Sequence, residues 1–342
     1  MDEGKKELGL ILERFAKAVD PVIEKFLISF VDKKFQELIK YPVSTGGKRL
    51  RPALAAISCQ LLGGKLKDAI KPAAGLEVLH NYTLIVDDII DNSSLRRGKP
   101  TSWARFGNSI AQCIGIDYAA TIFQAAGNSK KAALLSEIFS KAIKTLVEGE
   151  ILDILFEKSG REEESYVVKN RYRRITERDY FQMVRKKTAA LFEASCQVGG
   201  VCAAAKERDI KALRKYGLNL GIAFQITDDI LDIFGKEKKF NKEIGRDIKG
   251  KKEGNIVILL ALKKLKNPGK DRFLKIIRRK NISEKGVKEA IKIIEIAKSR
   301  EKAYQLGASY IRKAKNALKD LPQNKWSAIL SKIADFTLTR EK

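Results

Sequence analysis

The chain has 342 residues, of which 44% are hydrophobic and 32% are charged. This composition is that of a globular protein and excludes a disordered, collagen-like or disulfide-framework chain. The 68 Lys and Arg residues outnumber the 42 Asp and Glu residues and give a formal charge of +26 at pH 7. Such a charge favours a polyanionic partner, for example nucleic acid, a phosphorylated metabolite or an anionic membrane surface.

The predicted elements are almost all helices, because apolar residues recur at three- and four-residue spacing and period-two runs are scarce. We expect helices over 8–40, 52–62, 70–92, 109–126, 131–157, 176–204, 208–234, 255–265, 284–299 and 301–320. The charged stretch Glu157–Arg178 is expected to be a solvated helix face with a connection, whereas Ile110–Ala126 and Thr188–Ala205 are apolar all round and are expected inside the bundle. No shift in composition marks a boundary, so the sequence predicts one all-α domain over 1–342.

The cysteines and the hydropathy bear on the compartment. Cys59, Cys113, Cys196 and Cys202 lie singly in apolar stretches without a CxxC pair, and we expect them to be buried thiols in a reducing compartment. No apolar run approaches the roughly 18 residues of a membrane span, and the first residues lack the apolar region of a secretory signal. A cytoplasmic location is therefore expected.

Two predicted helices carry the same DDxxD pattern of aspartates. The two triplets are Asp87, Asp88 and Asp91, and Asp228, Asp229 and Asp232. Residues four apart are neighbours on one helix face, so the outer two acids of each triplet project together. Two like charges about 4 Å apart repel by roughly 4 kcal/mol at an effective dielectric constant near 20. A cation must therefore neutralise each pair, and paired oxygen ligands suit Mg²⁺ that is shared with substrate phosphates.

Several basic residues near the triplets are of the kind that binds phosphate. The segment 44–52 reads STGGKRLRP, in which a Gly-Gly turn and a helix start bring backbone N–H groups, Lys48 and Arg51 to an anion. Arg96 and Arg97 follow the first triplet, and guanidinium groups match phosphate oxygens in pairs. The only histidine, His80, lies seven residues before the first triplet on the same helix face, and we assign it a functional role. Further candidates are Lys187, Thr188, Gln225, Lys242 and Lys252.

In this order the motifs resemble the trans-prenyltransferase (polyprenyl synthetase) family of isoprenyl diphosphate synthases. The matching segments are GGKRLRP at 46–52, LHNYTLIVDDIIDNSSLRRGKPT at 79–101, KKTAALF at 186–192, GIAFQITDDILDIFG at 221–235 and KEIGRDIKGKK at 242–252, and the resemblance covers roughly residues 20–320. It implies a single helical bundle around a deep central cavity (the isoprenoid synthase fold), usually a homodimer. It also implies a head-to-tail condensation of isopentenyl diphosphate with an allylic diphosphate.

The resemblance implies a role for each matched residue. Isopentenyl diphosphate would be bound by Lys48, Arg51, His80 and Arg97. Roughly two to three Mg²⁺ ions per active site would be bound by Asp87, Asp91, Asp228 and Asp232, with Asp88 and Asp229 in support. The allylic diphosphate would be bound by Arg96, Lys187, Thr188, Gln225, Lys242 and Lys252, with Lys251 as an alternative to Lys252. The two triplets, Arg96 and Lys187 would carry out the catalysis.

The length of the product depends on the wall below the first triplet. Tyr82 lies five positions before Asp87, and it is either the residue that stops chain elongation or part of the core packing. An aromatic residue here, with an uninserted DDxxD, resembles the archaeal type of geranylgeranyl diphosphate synthase, which implies a C20 product. Farnesyl diphosphate (C15) and longer polyprenyl diphosphates are the alternatives.

Two other classes of function are open to such a sequence. A basic helical protein that binds nucleic acid would explain the charge, but no recognition module or aromatic-rich basic stripe is present, and we expect no nucleic-acid partner. A terpene cyclase would share the acid-rich cavity but would not need Lys48, Arg51 and His80. The positive charge of +26 exceeds what two diphosphate substrates require. It is explained by a lysine-rich exterior or, as a weaker alternative, by peripheral contact with an anionic membrane.

Overall fold

Helices make up almost all of the regular structure in the computed structural model, which describes residues 2–235, 245–250, 253–279 and 282–340. The helices up to residue 155 are Asp2–Ile28 (α1), Lys33–Ser44 (α2), Leu50–Leu61 (α3), Leu66–Ile90 (α4), Ser102–Phe106 (α5), Asn108–Gly127 (α6) and Ala132–Leu155 (α7). They are followed by Ser165–Asn170 (α8), Glu177–Val184 (α9), the π-helical segment Arg185–Ala189, Ala190–Cys202 (α10), Glu207–Phe234 (α11), Arg246–Lys249 (α12), Ile256–Lys264 (α13), Gly269–Ile277 (α14), Glu284–Ile296 (α15), Ser299–Leu318 (α16) and Lys325–Thr339 (α17). Leu95–Arg96 (β1) and Lys99–Pro100 (β2) form a short antiparallel pair. The predicted all-α fold class is confirmed.

The single helix predicted over 8–40 is wrong, because α1 ends at Ile28 and α2 begins at Lys33. Phe30 has a φ of 64°, a left-handed conformation that a right-handed helix does not accommodate. Two residues later, the Asp32 side chain accepts a hydrogen bond from the N–H of Lys34 at 3.1 Å. This cap satisfies a backbone donor in the first turn of α2 and so stabilises a separate helix start.

Five helices were not predicted. Two of them, α5 and α12, have only five and four residues, and the other three are α8, α14 and α17. Helix α8 lies within the charged stretch Glu157–Arg178, so this stretch is a connection that contains a short helix. Helix α14 has nine residues and buries only Phe273, Ile276 and Ile277, which is a weak helical pattern. Helix α17 carries apolar residues at helical spacing and buries Ile329, Leu330 and Ile333, so its periodicity was sufficient to predict it.

Helix α6 is not enclosed, contrary to the prediction for Ile110–Ala126. Three of its large apolar side chains, Ile110, Ile116 and Phe123, are 40%, 71% and 42% exposed. Cys113 is also exposed, so the expected burial is wrong for this thiol, whereas Cys59 and Cys196 are buried. A helix that is apolar on every face does not reveal from its sequence which faces pack against the protein. None of the described helices combines the length and the hydropathy that a membrane span requires.

The chain divides into two compact units. The first comprises Met1–Ile143, Leu191–Gly217 and Lys315–Ile333, and the second comprises Lys144–Ala190, Leu218–Ala314 and Ala334–Lys342. The first triplet belongs to the first unit and the second triplet to the second unit. A single domain over 1–342 and a central cavity stay predictions.

Candidate active site

The first triplet lies at the C-terminal end of α4. Asp87 and Asp88 belong to the last turn, and Asp91 is the first residue beyond it, with its N–H donating to the carbonyl of Asp87 at 2.8 Å. The side chain of Asp87 is 22% exposed and that of Asp88 is 7% exposed, while Asp91 is partly exposed. The triplet therefore has two accessible outer acids and one buried central acid.

Arg96 on β1 holds this buried central acid. Its Nε donates to the two carboxylate oxygens of Asp88 at 2.8 and 2.9 Å, and its Nη2 donates to Asp87 Oδ2 at 2.9 Å. The chain reverses at Arg97 and Gly98, which have φ values of 55° and 75°. Burial raises the pKa of Asp88, and the bond from Arg96 acts in the opposite direction. The planar guanidinium thus fixes the acid with more than one charge-assisted hydrogen bond.

The predicted Gly-Gly turn precedes α3 and contacts the β1–β2 hairpin. Gly46 and Gly47 have φ values of 104° and 141°, and a Cβ on Gly47 would lie only 3.0 Å from Arg97 Nη1. Arg97 donates to the carbonyl of Gly46, and Lys48 is exposed beside them. Glycine is needed here both for the backbone conformation and for the close approach of the guanidinium.

Arg51 and His80 belong to the same unit as this turn. Arg51 lies in the first turn of α3 with its guanidinium 4.9 Å from the ring centroid of Phe192. Burial lowers the pKa of His80 well below its ordinary value, and the charges of Arg51 and Arg97 lower it further. The imidazole is therefore neutral at pH 7, and it contributes hydrogen bonds rather than charge to an anion site.

The second triplet lies wholly within α11 and repeats the division of the first. Asp229 is 2% exposed, whereas the side chain of Asp228 is 44% exposed and Asp232 is partly exposed. Burial and the charge of Asp247 raise the pKa of Asp229, and hydrogen bonds to its carboxylate act in the opposite direction. The donors to Asp229 are the hydroxyl of Tyr180 at 2.8 Å, Nε2 of Gln225 at 2.8 Å and the N–H of Ile256 at 2.9 Å.

A chain of hydrogen bonds leads from Asp229 to the π-helical segment. The hydroxyl of Thr188 donates to Gln225 Oε1 at 2.7 Å, and Gln225 in turn donates to Asp229. Thr188 and Gln225, which were predicted to contact a ligand, thus also position the buried acid. Each polar group in this network is satisfied, which is what a buried network requires to be stable.

Lys187 forms ion pairs with two acids of α7. Its Nζ lies 2.6 Å from Asp153 Oδ2 and 2.8 Å from Glu150 Oε2. The π-helical backbone approaches α7 so closely that a Cβ on Gly149 would collide with the backbone of Lys187. The ammonium group therefore has a fixed position close to α7.

Sequence reasoning missed Arg340, which follows α17. Its side chain is 8% exposed, and its Nη2 donates to Asp228 Oδ1 at 2.7 Å and to the carbonyl of Phe224 at 2.9 Å. The guanidinium lies 3.6 Å from the ring centroid of Phe224. No sequence signal connects these residues, because they are more than 110 positions apart.

Tyr180 and Asn255 were also missed. The Asn255 amide donates to Asp247 Oδ2 at 2.8 Å, and its Oδ1 accepts from the N–H of Val257 at 2.8 Å. An asparagine directly before an apolar run is a helix-capping signal that would have identified it. Tyr180 has no comparable signal. The predicted ligands Lys242 and Lys252, and the alternative Lys251, lie outside the described residues.

The helical architecture and the two DDxxD triplets define the class of the chain, which has the isoprenoid synthase fold. The model of the polyprenyl synthetase family matches residues 32–294. The chain is 38% identical to a short chain isoprenyl diphosphate synthase of Methanocaldococcus jannaschii over 86% of each sequence. It is 35% identical to a geranylgeranyl diphosphate synthase of Saccharolobus solfataricus over 98% of this chain and 99% of that protein. The chain therefore belongs to the polyprenyl synthetase family and is a prenyltransferase, which confirms the resemblance.

A solved structure agrees with this assignment. The polyprenyl synthase of Caulobacter crescentus, complexed with calcium and isoprenyl diphosphate, superposes with a TM-score of 0.86 at 30% identity over 98% of both chains. The names of more distant relatives differ in product, since they include a geranylfarnesyl diphosphate synthase of Aeropyrum pernix and an octaprenyl diphosphate synthase of Escherichia coli. Membership of the family thus leaves the length of the product open.

Proposed function

We propose that the chain condenses isopentenyl diphosphate head to tail with allylic diphosphates and that its main product is geranylgeranyl diphosphate (C20). One observation carries the proposed condensation, whereas the C20 product rests on Tyr82. In each triplet the central acid is buried and its carboxylate is held on both oxygens by protein donors. The outer two acids are more exposed, although Asp87 and Asp228 each also accept a hydrogen bond from an arginine. The same division of roles in two separate helices is expected if the outer acids bind ligands and the central acids position them.

The outer acids suit Mg²⁺. Within the described ranges, no three His, Cys, Asp or Glu side chains form a group that could enclose a metal ion. Mg²⁺ does not need such a cage, because it is usually bound by one or two carboxylates together with water and substrate phosphates. We propose Asp87 and Asp91 in the first unit, and Asp228 and Asp232 in the second, as the ligands of roughly two to three ions. When bound, Mg²⁺ neutralises the charge that develops on a departing diphosphate.

The basic residues of the first unit form the proposed site for isopentenyl diphosphate. Lys48 and Arg51 belong to the Gly-Gly turn and the start of α3, where backbone N–H groups attract an anion, and His80 and Arg97 belong to the same unit. Arg97 is held to this turn by its bond to the carbonyl of Gly46. His80 is neutral, so the positive charge that binds the diphosphate would come from Lys48, Arg51 and Arg97.

The allylic diphosphate is assigned to a different set of residues. We propose Arg96, Lys187, Thr188 and Gln225 from the described chain, together with Lys242 and Lys252. Arg96 also binds Asp88 and Asp87, and Gln225 also binds Asp229. Arg96 and Gln225, which hold the central acids, would therefore also hold the leaving diphosphate, so that each of these acids is oriented together with the anion.

These assignments account for the chemistry of the condensation. The leaving diphosphate is stabilised by positive charges that do not accept a proton, and the allylic cation is attacked by the double bond of isopentenyl diphosphate. A proton is then lost to the departed diphosphate, and inorganic diphosphate is released. Apolar helices around the reacting carbons exclude water that would otherwise react with the cation.

Tyr82 is the proposed stop for chain elongation. It lies on α4 below the first triplet, and its ring is close to Gly115 of α6, where an added Cβ would be in ordinary van der Waals contact with Tyr82 Cε2 at 3.9 Å. The phenol is partly exposed rather than sealed in the core, as expected for a residue that lines a cavity. A C15 product or a longer one is the alternative.

We also propose a homodimer that forms through the exposed face of α6. Ile116 and Phe123 lie seven residues apart on one side of this helix and are both exposed, and exposed apolar side chains that share a face indicate a protein interface. The family resemblance names a second copy as the partner. A cytoplasmic location and weak contact with an anionic membrane stay predictions.

A condensation assay tests the proposed function. The purified protein is incubated with Mg²⁺, labelled isopentenyl diphosphate and C5, C10 or C15 allylic primers, and the dephosphorylated alcohols are separated by length. We expect C20 alcohol as the main product, loss of activity with a chelator and recovery when Mg²⁺ is added back. Absence of condensation with every primer would refute the proposal.

A further inference from the structure

The first unit contains a pocket, and the residues assigned above to the substrates and to Mg²⁺ are not part of its wall. It lies between α1, α2, the turn before α3 and the segment from β2 to α5, and its volume is about 810 Å³. Pockets for small molecules typically measure about 300–1,000 Å³. The pocket is therefore large enough for a ligand with a chain of many carbon atoms.

The acidic side chains in the pocket wall form ion pairs with basic side chains of the same wall. Asp20 Oδ1 accepts a hydrogen bond from Arg49 Nε at 2.7 Å. Lys40 Nζ lies 3.2 Å from Glu24 Oε1 and 2.5 Å from Glu37 Oε1. Each carboxylate in the wall therefore has a cation beside it, with Lys40 shared by Glu24 and Glu37.

Two cations in the wall have no such neighbour. Among the described residues, no carboxylate forms an ion pair with Lys99 or Arg105. Lys99 Nζ donates to the carbonyl of Ser44 at 3.2 Å, and the guanidinium of Arg105 lies 4.3 Å from the ring centroid of Tyr41. The Tyr41 hydroxyl donates to the carbonyl of Pro100, next to Lys99, at 2.7 Å. Both cations therefore lie close to Tyr41. Both residues are exposed, so a phosphate group can reach them from the solvent.

The remainder of the wall is largely apolar. Tyr41 and Phe106 pack edge to face with ring centroids 5.2 Å apart. Aliphatic side chains of α1 and α2 continue this surface, namely Ile23, Leu27 and Leu38. The pocket thus combines a cationic region with an apolar surface that suits an alkyl or isoprenoid tail.

We propose that this pocket is a second binding site, specific for an amphiphile with a phosphate or diphosphate head and an aliphatic tail. The head would bind to Lys99 and Arg105, and the tail would lie against Tyr41, Phe106 and Leu38. Such a ligand can come from two sources, a soluble prenyl phosphate or a membrane phospholipid. The proposal stands on the pocket alone and does not rest on the proposed function.

A photo-crosslinking experiment tests this site without relying on activity. The probe is a prenyl monophosphate that carries a benzophenone at the end of its tail, and labelled peptides are identified by mass spectrometry. We expect label in residues 23–41 of the wild-type chain. The double variant Lys99→Ala/Arg105→Ala should reduce this label at least about tenfold, because two charge-assisted contacts are lost. The matched control Lys25→Ala/Lys33→Ala removes two exposed lysines of α1 and α2 that do not line the pocket, and it should retain the label.

A second arm distinguishes the sources of the ligand. The protein and its variants are mixed with phosphatidic acid vesicles and separated by flotation. A membrane lipid is identified if the wild type and the control float with the vesicles and Lys99→Ala/Arg105→Ala does not. Crosslinking without such flotation would identify a soluble prenyl phosphate. The proposal is overturned if residues 23–41 take no label, or if the double variant, with an unchanged circular dichroism spectrum, takes as much label as the wild type.

Discussion

Replacement of Arg49 by Met should destabilise the first unit strongly. The Arg49 side chain is 7% exposed, and its Nη1 lies 3.2 Å from an oxygen of Glu77, whose side chain is 2% exposed. The substitution keeps the volume of the side chain but leaves the Glu77 carboxylate buried beside fewer positive charges. Breaking a buried ion pair in this way typically costs about 3–5 kcal/mol. We therefore expect the free energy of unfolding from urea titration, followed by circular dichroism, to fall by about 3 kcal/mol or more.

The other acidic partner of Arg49, Asp20, provides a matched control. The side chain of Asp20 is 46% exposed, although its carboxylate lies only 2.7 Å from Arg49 Nε. Asp20→Asn should therefore cost less than about 1 kcal/mol, because exposed ion pairs contribute little. The reasoning would be refuted by a loss below about 1 kcal/mol for Arg49→Met, or by equal losses for the two variants.

Three further predictions follow from the site. The folded chain keeps His80 neutral because its pKa is lowered, whereas the unfolded chain binds a proton at His80 below about pH 6.5. Between about pH 7 and pH 5.5, the free energy of unfolding should therefore fall by up to about 1 kcal/mol more in the wild type than in His80→Gln. Equal losses for the two proteins in urea titrations would contradict this prediction. Tyr180→Phe removes the donor 2.8 Å from Asp229 Oδ2 and should lower the free energy of unfolding by about 1.5–3 kcal/mol, while Tyr304→Phe, at a residue that is 47% exposed, should leave it unchanged. Tyr82→Ala should lengthen the products by at least one isoprene unit when the alcohols are sized by chromatography, and an unchanged distribution would remove Tyr82 from this role.

Much of the fold was predictable because helical periodicity is a local property. The first triplet at the end of α4 and the second within α11 follow from the spacing of apolar residues around the aspartates. The turn before α3 follows from two adjacent glycines, whose φ values of 104° and 141° other residues rarely adopt. These features depend on a few neighbouring residues, which the sequence shows directly.

The contacts that complete the site depend on tertiary structure. Tyr180 reaches Asp229 over 49 positions, and Arg340 reaches Asp228 over 112 positions. The spacing of residues in the sequence does not mark Tyr180 or Arg340 as part of the site, because tyrosine and arginine residues occur at many positions without a functional role. Burial itself is also a tertiary property, which explains why Ile116 and Cys113 of α6 were expected inside the protein and are exposed.

The most direct measurement compares kcat/KM for the Mg²⁺-dependent condensation in four variants. Asp87→Ala and Asp228→Ala remove one accessible acid from each triplet, and each should lower kcat/KM by about 100-fold or more. Asp68→Ala and Asp209→Ala remove acids from the first turns of α4 and α11, the helices that carry the triplets. Their kcat/KM should stay within about threefold of the wild type, because an acid at a helix start typically contributes about 0.3–1 kcal/mol to the stability of the helix and neither acid is among the proposed ligands. Activity within about tenfold of the wild type in both triplet variants, a difference of about 1.4 kcal/mol, would contradict the account.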